Sequence, residues 1–295
     1  MDDTEIFDRA PFTARELHCL EIWGGTRSAR EAASVYGLDI YVASEPFSGS
    51  EHGGDIYFVS MCGAGNVARF VLADVSGHGD AVSHVSHSLR RILQRHISKP
   101  DQTRLVQEIN REFAAIAKNG CFATAVVATY FAPTDHLIVV NAGHPPPLWY
   151  RVETNEWVLL EPHSIEDHLT SEPEKTGVPN IPLGVLESTP YRQFSVHLAK
   201  GDIVVLHTDS LIESAGPDGS SLGSEGLLGL MQLMDPSKFS DIADSIRLAT
   251  ANFRNGLPAE DDETIIVLHH NAADPPAPSM RDRLRMLGWM MGIRS

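Results

Sequence analysis

A chain of 295 residues, 42% of them hydrophobic, carries enough apolar material for one large layered domain. Its formal charge of -16, from 23 basic against 39 acidic residues, excludes the cationic footprint that nucleic acid or an anionic membrane surface requires, and favours divalent cations or a basic protein partner. Neither a signal-type start nor a bilayer-length apolar run is visible, and Cys19, Cys62 and Cys121 stand at no metal-ligand spacing, so the sequence reads as a cytoplasmic protein with reduced thiols and no membrane span.

Residues 12–36 mix Leu17, Leu20, Ile22 and Trp23 with charges and predict a helical lead-in broken at Gly24-Gly25, so residues 1–38 are expected to precede the main domain. Strands are expected over 39–44, 55–61 and 66–73, the last two joined by a glycine-bearing turn. Val82, Val85, Leu89, Ile92 and Leu93, then Leu105, Ile109, Phe113 and Ile116, recur at helical spacing and predict two amphipathic helices. Closely spaced strands follow over 122–131, 137–141, 147–152 and 156–161, the pattern of an antiparallel meander. Residues 162–182 are polar and aperiodic, a loop or flap, after which strands resume at 193–198 and 202–207. A helix over 240–253 and a closing strand over 264–269 complete a main domain at 39–270, an α+β layered unit. A proline-rich linker and short tail, 271–295, alternate arginines with Leu284, Leu287, Trp289, Met290 and Ile293, a pattern shared by amphipathic, packing and disordered ends.

The chemistry concentrates in aspartates. Phe70-Val71-Leu72-Ala73 leads into Asp74 and Ile203-Val204-Val205-Leu206 leads towards Asp209, so each carboxylate belongs at the end of a buried strand. Asp55 follows Gly53-Gly54, and Asp261 opens Asp261-Asp262-Glu263-Thr264. Ionised carboxylates are costly to bury together unless a hard cation such as Mg2+ or Mn2+ takes their oxygens. In such an oxygen-rich set His78 and His144 read as turn-steadying residues rather than ligands and Glu263 as solvent-facing, while the residues alone do not choose between the adjacent Asp261 and Asp262 as ligand. Asn141-Ala142-Gly143-His144 before three prolines reads as a rigid strand exit, and Ser76 has no assignable histidine and aspartate to make it a nucleophile.

Six motifs in order, Gly53-Gly54-Asp55, Asp74-Val75-Ser76-Gly77-His78-Gly79, Asn141 to Pro146, Pro182-Leu183-Gly184, Thr208-Asp209 and Asp261-Asp262-Glu263-Thr264, resemble the PPM (PP2C-like) serine/threonine phosphatases, in the bacterial branch that contains RsbU and SpoIIE. The resemblance runs from about residue 44 to 268 and implies an α-β-β-α sandwich of two antiparallel sheets flanked by helices. It also implies that Asp74 bridges two Mn2+ or Mg2+ ions, that the Val75 backbone carbonyl is a further ligand, and that Asp55, Asp209 and Asp261 complete the shell, with a metal-bridging water as nucleophile. A phosphorylated regulatory protein, of the STAS-domain anti-sigma antagonist type, would be the substrate, with a separate activator protein or a homodimer contact as regulator. One departure stands out: the family's usual glycine after Thr-Asp is Ser210 here, which keeps open a pseudophosphatase or partner-switching module with little turnover. A hydrolase for small phosphoesters is a third reading, against which no pocket-forming motif is visible.

Overall fold

The strand sequences are apolar on both parities, so each sheet has to be covered on two faces. The computed structural model describes residues 12–17, 21–47, 50–62, 65–76, 80–117, 120–162 and 178–274. The chain opens with strands β1 (Thr13–Ala14), β2 (Ile22–Gly25), β3 (Ala29–Val35) and β4 (Leu38–Glu45). The hairpin β5 (Ile56–Cys62) and β6 (Val67–Val75) follows, then helices α1 (Asp80–His96) and α2 (Gln102–Ala114). The central strands are β7 (Ala123–Phe131), β8 (His136–Ala142), β9 (Leu148–Arg151), β10 (Glu156–Leu159), β11 (Phe194–His197) and β12 (Ile203–His207). Helices α3 (Gly223–Met231) and α4 (Ile242–Phe253) precede the last strand, β13 (Glu263–His270).

These strands form a seven-stranded sheet, β1-β3-β4-β13-β12-β9-β10, and a six-stranded sheet, β11-β8-β7-β6-β5-β2. Every pairing is antiparallel except the two-residue parallel contact of β1 with β3. Alternation sorts the side chains. Phe70 and Leu72 of β6 meet Val204 and Leu206 of β12 and Ile266 and Leu268 of β13 between the sheets. Val71, Ala73 and Val75 face outward to Leu89, Leu93, Ile109 and Phe113 of α1 and α2. On the other side, Val205, Ile265 and Val267 pack against Leu227 and Met231 of α3 and Ile242 and Ile246 of α4. The result is the expected four-layer α-β-β-α sandwich. The Asp101 side chain accepts the Arg104 backbone N–H at 2.9 Å and starts α2.

Alternation also places the polar residues. Continuing the inward parity of each strand past its apolar run brings Asp74 on β6, Thr124 on β7, Thr208 after β12, and Asp262 and Thr264 at the start of β13 to one end of the inter-sheet layer. Asp55, in phase with the inward Tyr57 and Val59, arrives at the same end.

Three expectations change. The helical lead-in is strand: β2 pairs with β5 and β3 with β4, so residues 22–35 belong to the sandwich instead of preceding it. Helix α3 was not foreseen, because Gly223, Gly226 and Gly229 hide its apolar face. Glu263 is buried: Arg247 Nε and Arg254 Nη1 of the α4 region each donate to it at 3.1 Å. The expected flap lies almost entirely outside the described residues, at 163–177, as do the tail from 275, His78 and Cys19. Among the described residues no helix is long and apolar enough to cross a membrane.

Two guanidinium groups converge on one buried carboxylate, so deleting it leaves Arg254 with neutral acceptors alone and Arg247 with only the exposed Glu45 as a counter-charge. Glu263→Ala should destabilise the protein by about 3–5 kcal/mol, measured as a fall in the midpoint of chemical denaturation. A loss below about 1 kcal/mol would mean that the three groups behave as a solvated surface pair.

Candidate active site

Asp55 is held from two sides. The Thr208 hydroxyl donates to its Oδ2 at 3.0 Å and the Thr264 hydroxyl also bonds its carboxylate. Thr264 is in turn 3.0 Å from Ser44 Oγ, and its backbone N–H donates to Thr208 Oγ1 at 3.0 Å. Despite those hydroxyls, burial, with Asp74 and Asp262 close by, pushes the Asp55 carboxyl well above its ordinary range.

Asp74, the penultimate residue of β6, pairs across the ladder with Thr124. Burial first, then the charges of Asp209, Asp261, Asp262 and Glu213, push its pKa up to about 8. Asp209 starts a short 3-10 turn, Asp209–Leu211, directly after Thr208. Burial, Glu213 and Asp261 raise it to about 6, against the pull of the backbone N–H groups of Asp209 and Ser210.

The adjacent pair Asp261 and Asp262 divides its work. Asp262 is buried and accepts the backbone N–H groups of Phe47 at 2.6 Å, Asp55 at 3.3 Å and Gly54. Asp261 is exposed, accepts the Asp262 N–H at 2.8 Å, and acts on Asp74 and Asp209 through its charge. Asp262 therefore clamps the turn ahead of Asp55, and Gly53 is required there by space: a Cβ on it would stand 2.6 Å from the Asp262 carboxylate. A Cβ on Gly54 would fill a small cradle, 3.7 Å from both Asp74 Oδ1 and the Val75 carbonyl and 3.4 Å from Asp262 Oδ2.

Asp55, Asp74, Val75, Asp209 and Asp261, all expected from the sequence, thus come to one end of the sandwich. Among the described residues no three His, Cys, Asp or Glu side chains close to metal-ligand spacing. The donor set still fits a hard divalent cation. It is made of carboxylates and one carbonyl, it leaves a cradle beside Gly54, and its charges raise one another's pKa in a way that a dication would relieve. Sequence reasoning missed Glu213, whose charge acts on both Asp74 and Asp209; its signal was the helical i to i+4 step from Asp209, where the Glu213 N–H bonds the Asp209 carbonyl at 2.8 Å.

Ser210 lies in the 3-10 turn and is not among the described residues with positive φ, so its side chain costs no backbone strain. His144 is buried with Nδ1 2.9 Å from Thr124 Oγ1, the rung partner of Asp74, and burial beside His207 lowers its pKa to about 3. It is neutral at physiological pH. The Asn141 side chain clamps the His144 backbone through both its N–H and its carbonyl, at 2.8 and 2.9 Å, as a rigid strand exit requires.

Two stacked sheets between helix pairs, with carboxylates gathered at one end of the inter-sheet layer, define a PP2C-type fold. The chain belongs to the SpoIIE family, whose model, described as Stage II sporulation protein E (SpoIIE), matches residues 64–271. It is 27% identical to phosphoserine phosphatase RsbU of Bacillus subtilis over 66% of this chain and 51% of RsbU. It is 23% identical to phosphoserine phosphatase RsbP of the same organism over 74% of this chain and 49% of RsbP. The chain therefore spans about half the length of these curated relatives. Among solved structures, the RsbU and RsbW domains of Rv1364c from Mycobacterium tuberculosis share the fold with a TM-score of 0.63 at 22% identity, over 82% of this chain and 63% of that one. The SiaA-PP2C domain of Pseudomonas aeruginosa does so with a TM-score of 0.62 at 17% identity, over 78% of this chain and 85% of that one.

The raised Asp74 pKa has a stability consequence with a definite sign. Between an unfolded value of 3.8 and a folded value of about 8, the folded chain holds a proton that the unfolded chain releases, so metal-free stability falls as pH rises through that window. Thermal melts in EDTA should show the wild type losing stability from pH 5 to pH 8. Asp74→Asn, which carries no charge, should melt several degrees above wild type at pH 8 and close to it near pH 4. An Asn variant that melts below wild type at pH 8 would contradict this electrostatic account.

Proposed function

We propose that this chain is a divalent-metal-dependent protein serine/threonine phosphatase acting on a phosphorylated regulatory protein, by family analogy an anti-sigma antagonist of the STAS type. The observation that carries this reading is the convergence of Asp55, Asp74, Asp209 and Asp261 from four separate segments, where burial and neighbouring acids push the carboxyls of Asp55, Asp74 and Asp209 above their ordinary range. Names of the curated relatives, both phosphoserine phosphatases, support it.

Asp74, the Val75 carbonyl, Asp55, Asp209 and Asp261 are the residues that would hold two Mn2+ or Mg2+ ions. Bound there, the ions would supply a lowered pKa for attacking water and charge neutralisation for the phosphoryl oxygens. The protein's own contribution is orientation. Thr208 and Thr264 fix the Asp55 carboxylate, Asp262 fixes the backbone of residues 53–55, and Thr124 with neutral His144 braces the strand beside Asp74. Hydrolysis adds one water across the ester P–O bond, releasing the serine or threonine hydroxyl and inorganic phosphate. Raised carboxylate pKa values suit such a site: cations compete with protons for the same oxygens, so loading should improve as pH rises through the range where Asp209 and Asp74 titrate, about 6 to about 8.

Hydrolysis of a phosphoserine peptide and of a generic phosphoester should therefore require Mn2+ or Mg2+, stop in EDTA, and fall by about 10^3-fold or more in Asp74→Asn, the scale of losing a central electrostatic element. Turnover that survives EDTA or the Asn variant would refute the metal mechanism. Absence of turnover in folded, cation-loaded wild type would leave a phosphoprotein-binding module, the pseudophosphatase reading. Preference for metabolite esters over phosphopeptides would move the substrate class to small molecules.

A further inference from the structure

A cavity of about 430 Å3 lies beside the carboxylate cluster and uses none of its residues. Its walls come from the start of the chain, the β2–β3 connection, the turn before β5 and α1. Three arginines line it, in a protein of net charge -16. Two of them are compensated. Arg15 pairs with Glu21 at 3.2 Å and Glu31 at 3.3 Å, and Glu31 also takes the Trp23 indole N–H. Arg27 pairs with Glu51 at 2.7 Å on the exposed rim. Arg90, which reaches from α1 towards Gly25, has no such partner: its Nε is buried without an acceptor, and no carboxylate among the described residues pairs with it.

We propose that this cavity is an oxyanion-binding site, separate from the carboxylate cluster, that takes a phosphate group, free or on a peptide, on the Arg90 guanidinium. A guanidinium with an orphaned buried N–H beside an open void lacks what a planar oxyanion or phosphate supplies, paired acceptor oxygens and negative charge. The volume falls in the range of roughly 300–1,000 Å3 that small-ligand sites occupy. Trp23 and Tyr57, edge to face at 6.4 Å and almost wholly buried in the inter-sheet core, close the inner end of the cavity. The opposite wall is polar: the Thr26 hydroxyl and His52 Nδ1 are 2.9 Å apart, and the Thr26 carbonyl accepts the Gly53 N–H at 2.8 Å. The site therefore adjoins the turn that carries Asp55, while its anion chemistry rests on its own residues and not on the proposed hydrolysis.

Isothermal titration calorimetry in EDTA, where no cation can recruit phosphate to the carboxylates, tests the site. Inorganic phosphate, a phosphoserine peptide and its unphosphorylated twin are titrated into wild type, Arg90→Ala, Arg90→Lys and Asp74→Asn, each shown folded by circular dichroism. Wild type and Asp74→Asn should bind phosphate or the phosphopeptide saturably and alike. Arg90→Ala should weaken binding by about tenfold or more, the scale of one charge-assisted contact, and Arg90→Lys should recover part of it. Tighter binding of the phosphopeptide than of inorganic phosphate identifies a protein segment as the ligand, and equal binding identifies free phosphate. If Arg90→Ala does not fold, Arg90→Gln, which keeps the aliphatic stem, takes its place. Equal saturable binding by wild type and the folded Arg90 variants, or none by wild type, overturns the proposal. Because Asp74→Asn is expected to retain binding, failure of the hydrolytic reading leaves this result unaffected.

Discussion

Mutual repulsion among carboxylates gathered at one end of a two-sheet sandwich is the constraint on which this molecule is organised. Asp74 and Asp209 are buried enough, and close enough to further acids, that their pKa values rise to about 8 and about 6. A cluster of that kind does not assemble for stability; it works against the fold at neutral pH. The surrounding residues read as the means of holding it in place. Threonine hydroxyls bind Asp55, glycines leave space that side chains would fill, and Asp262, whose charge also bears on Asp55 and Asp74, is held by backbone N–H groups.

Strand alternation delivers the cluster with little additional machinery. Each contributing strand spends its length on apolar side chains facing both ways, one set for the neighbouring sheet and one for the helices, and changes to Asp or Thr where the inward face reaches the edge of the layer. The outward parity carries its own polar exception. Glu263, two residues before Ile265, faces the α4 side and is neutralised by Arg247 and Arg254, and Arg254 also donates to Ser214 Oγ at 2.9 Å. Ser214 Oγ in turn bonds the Ser210 carbonyl at 3.1 Å, so the turn that bears Asp209 is tied through α4 to the first residue of β13.

Much of this was legible in the sequence where local pattern and tertiary role coincide. The central strands from 122 to 161, both early helices and the strand-end positions of Asp74 and Asp209 depend on short-range pattern, and they stand where that pattern puts them. What was hidden depends on pairing across distance. Ile22-Trp23-Gly24-Gly25 has no strand signature of its own; it is a strand because β5 lies against it, so closely that a Cβ on Gly24 would stand 2.1 Å from the Tyr57 carbonyl oxygen. Glu263 looked like one more surface acid because its two arginines lie 16 and 9 residues upstream on another layer. The parity of Ile265 and Val267 carried the missing signal. The arginine-lined cavity was invisible for the same reason, since its walls come from separate segments of the chain.

The division of β2 and β3 between the two sheets has a consequence for solubility. β2 closes the edge of the six-stranded sheet by covering β5, and β3, a few residues later, covers β4 in the other sheet. A single short stretch of chain therefore shields one flank of both sheets from intermolecular pairing. A fragment starting at residue 39 would keep the carboxylate motifs but leave β4 and β5, two apolar strands, as sheet edges with unpaired backbone groups. Such a fragment offers neighbouring molecules a template for sheet extension, so the opening strands act as guards against self-association as well as pieces of the fold.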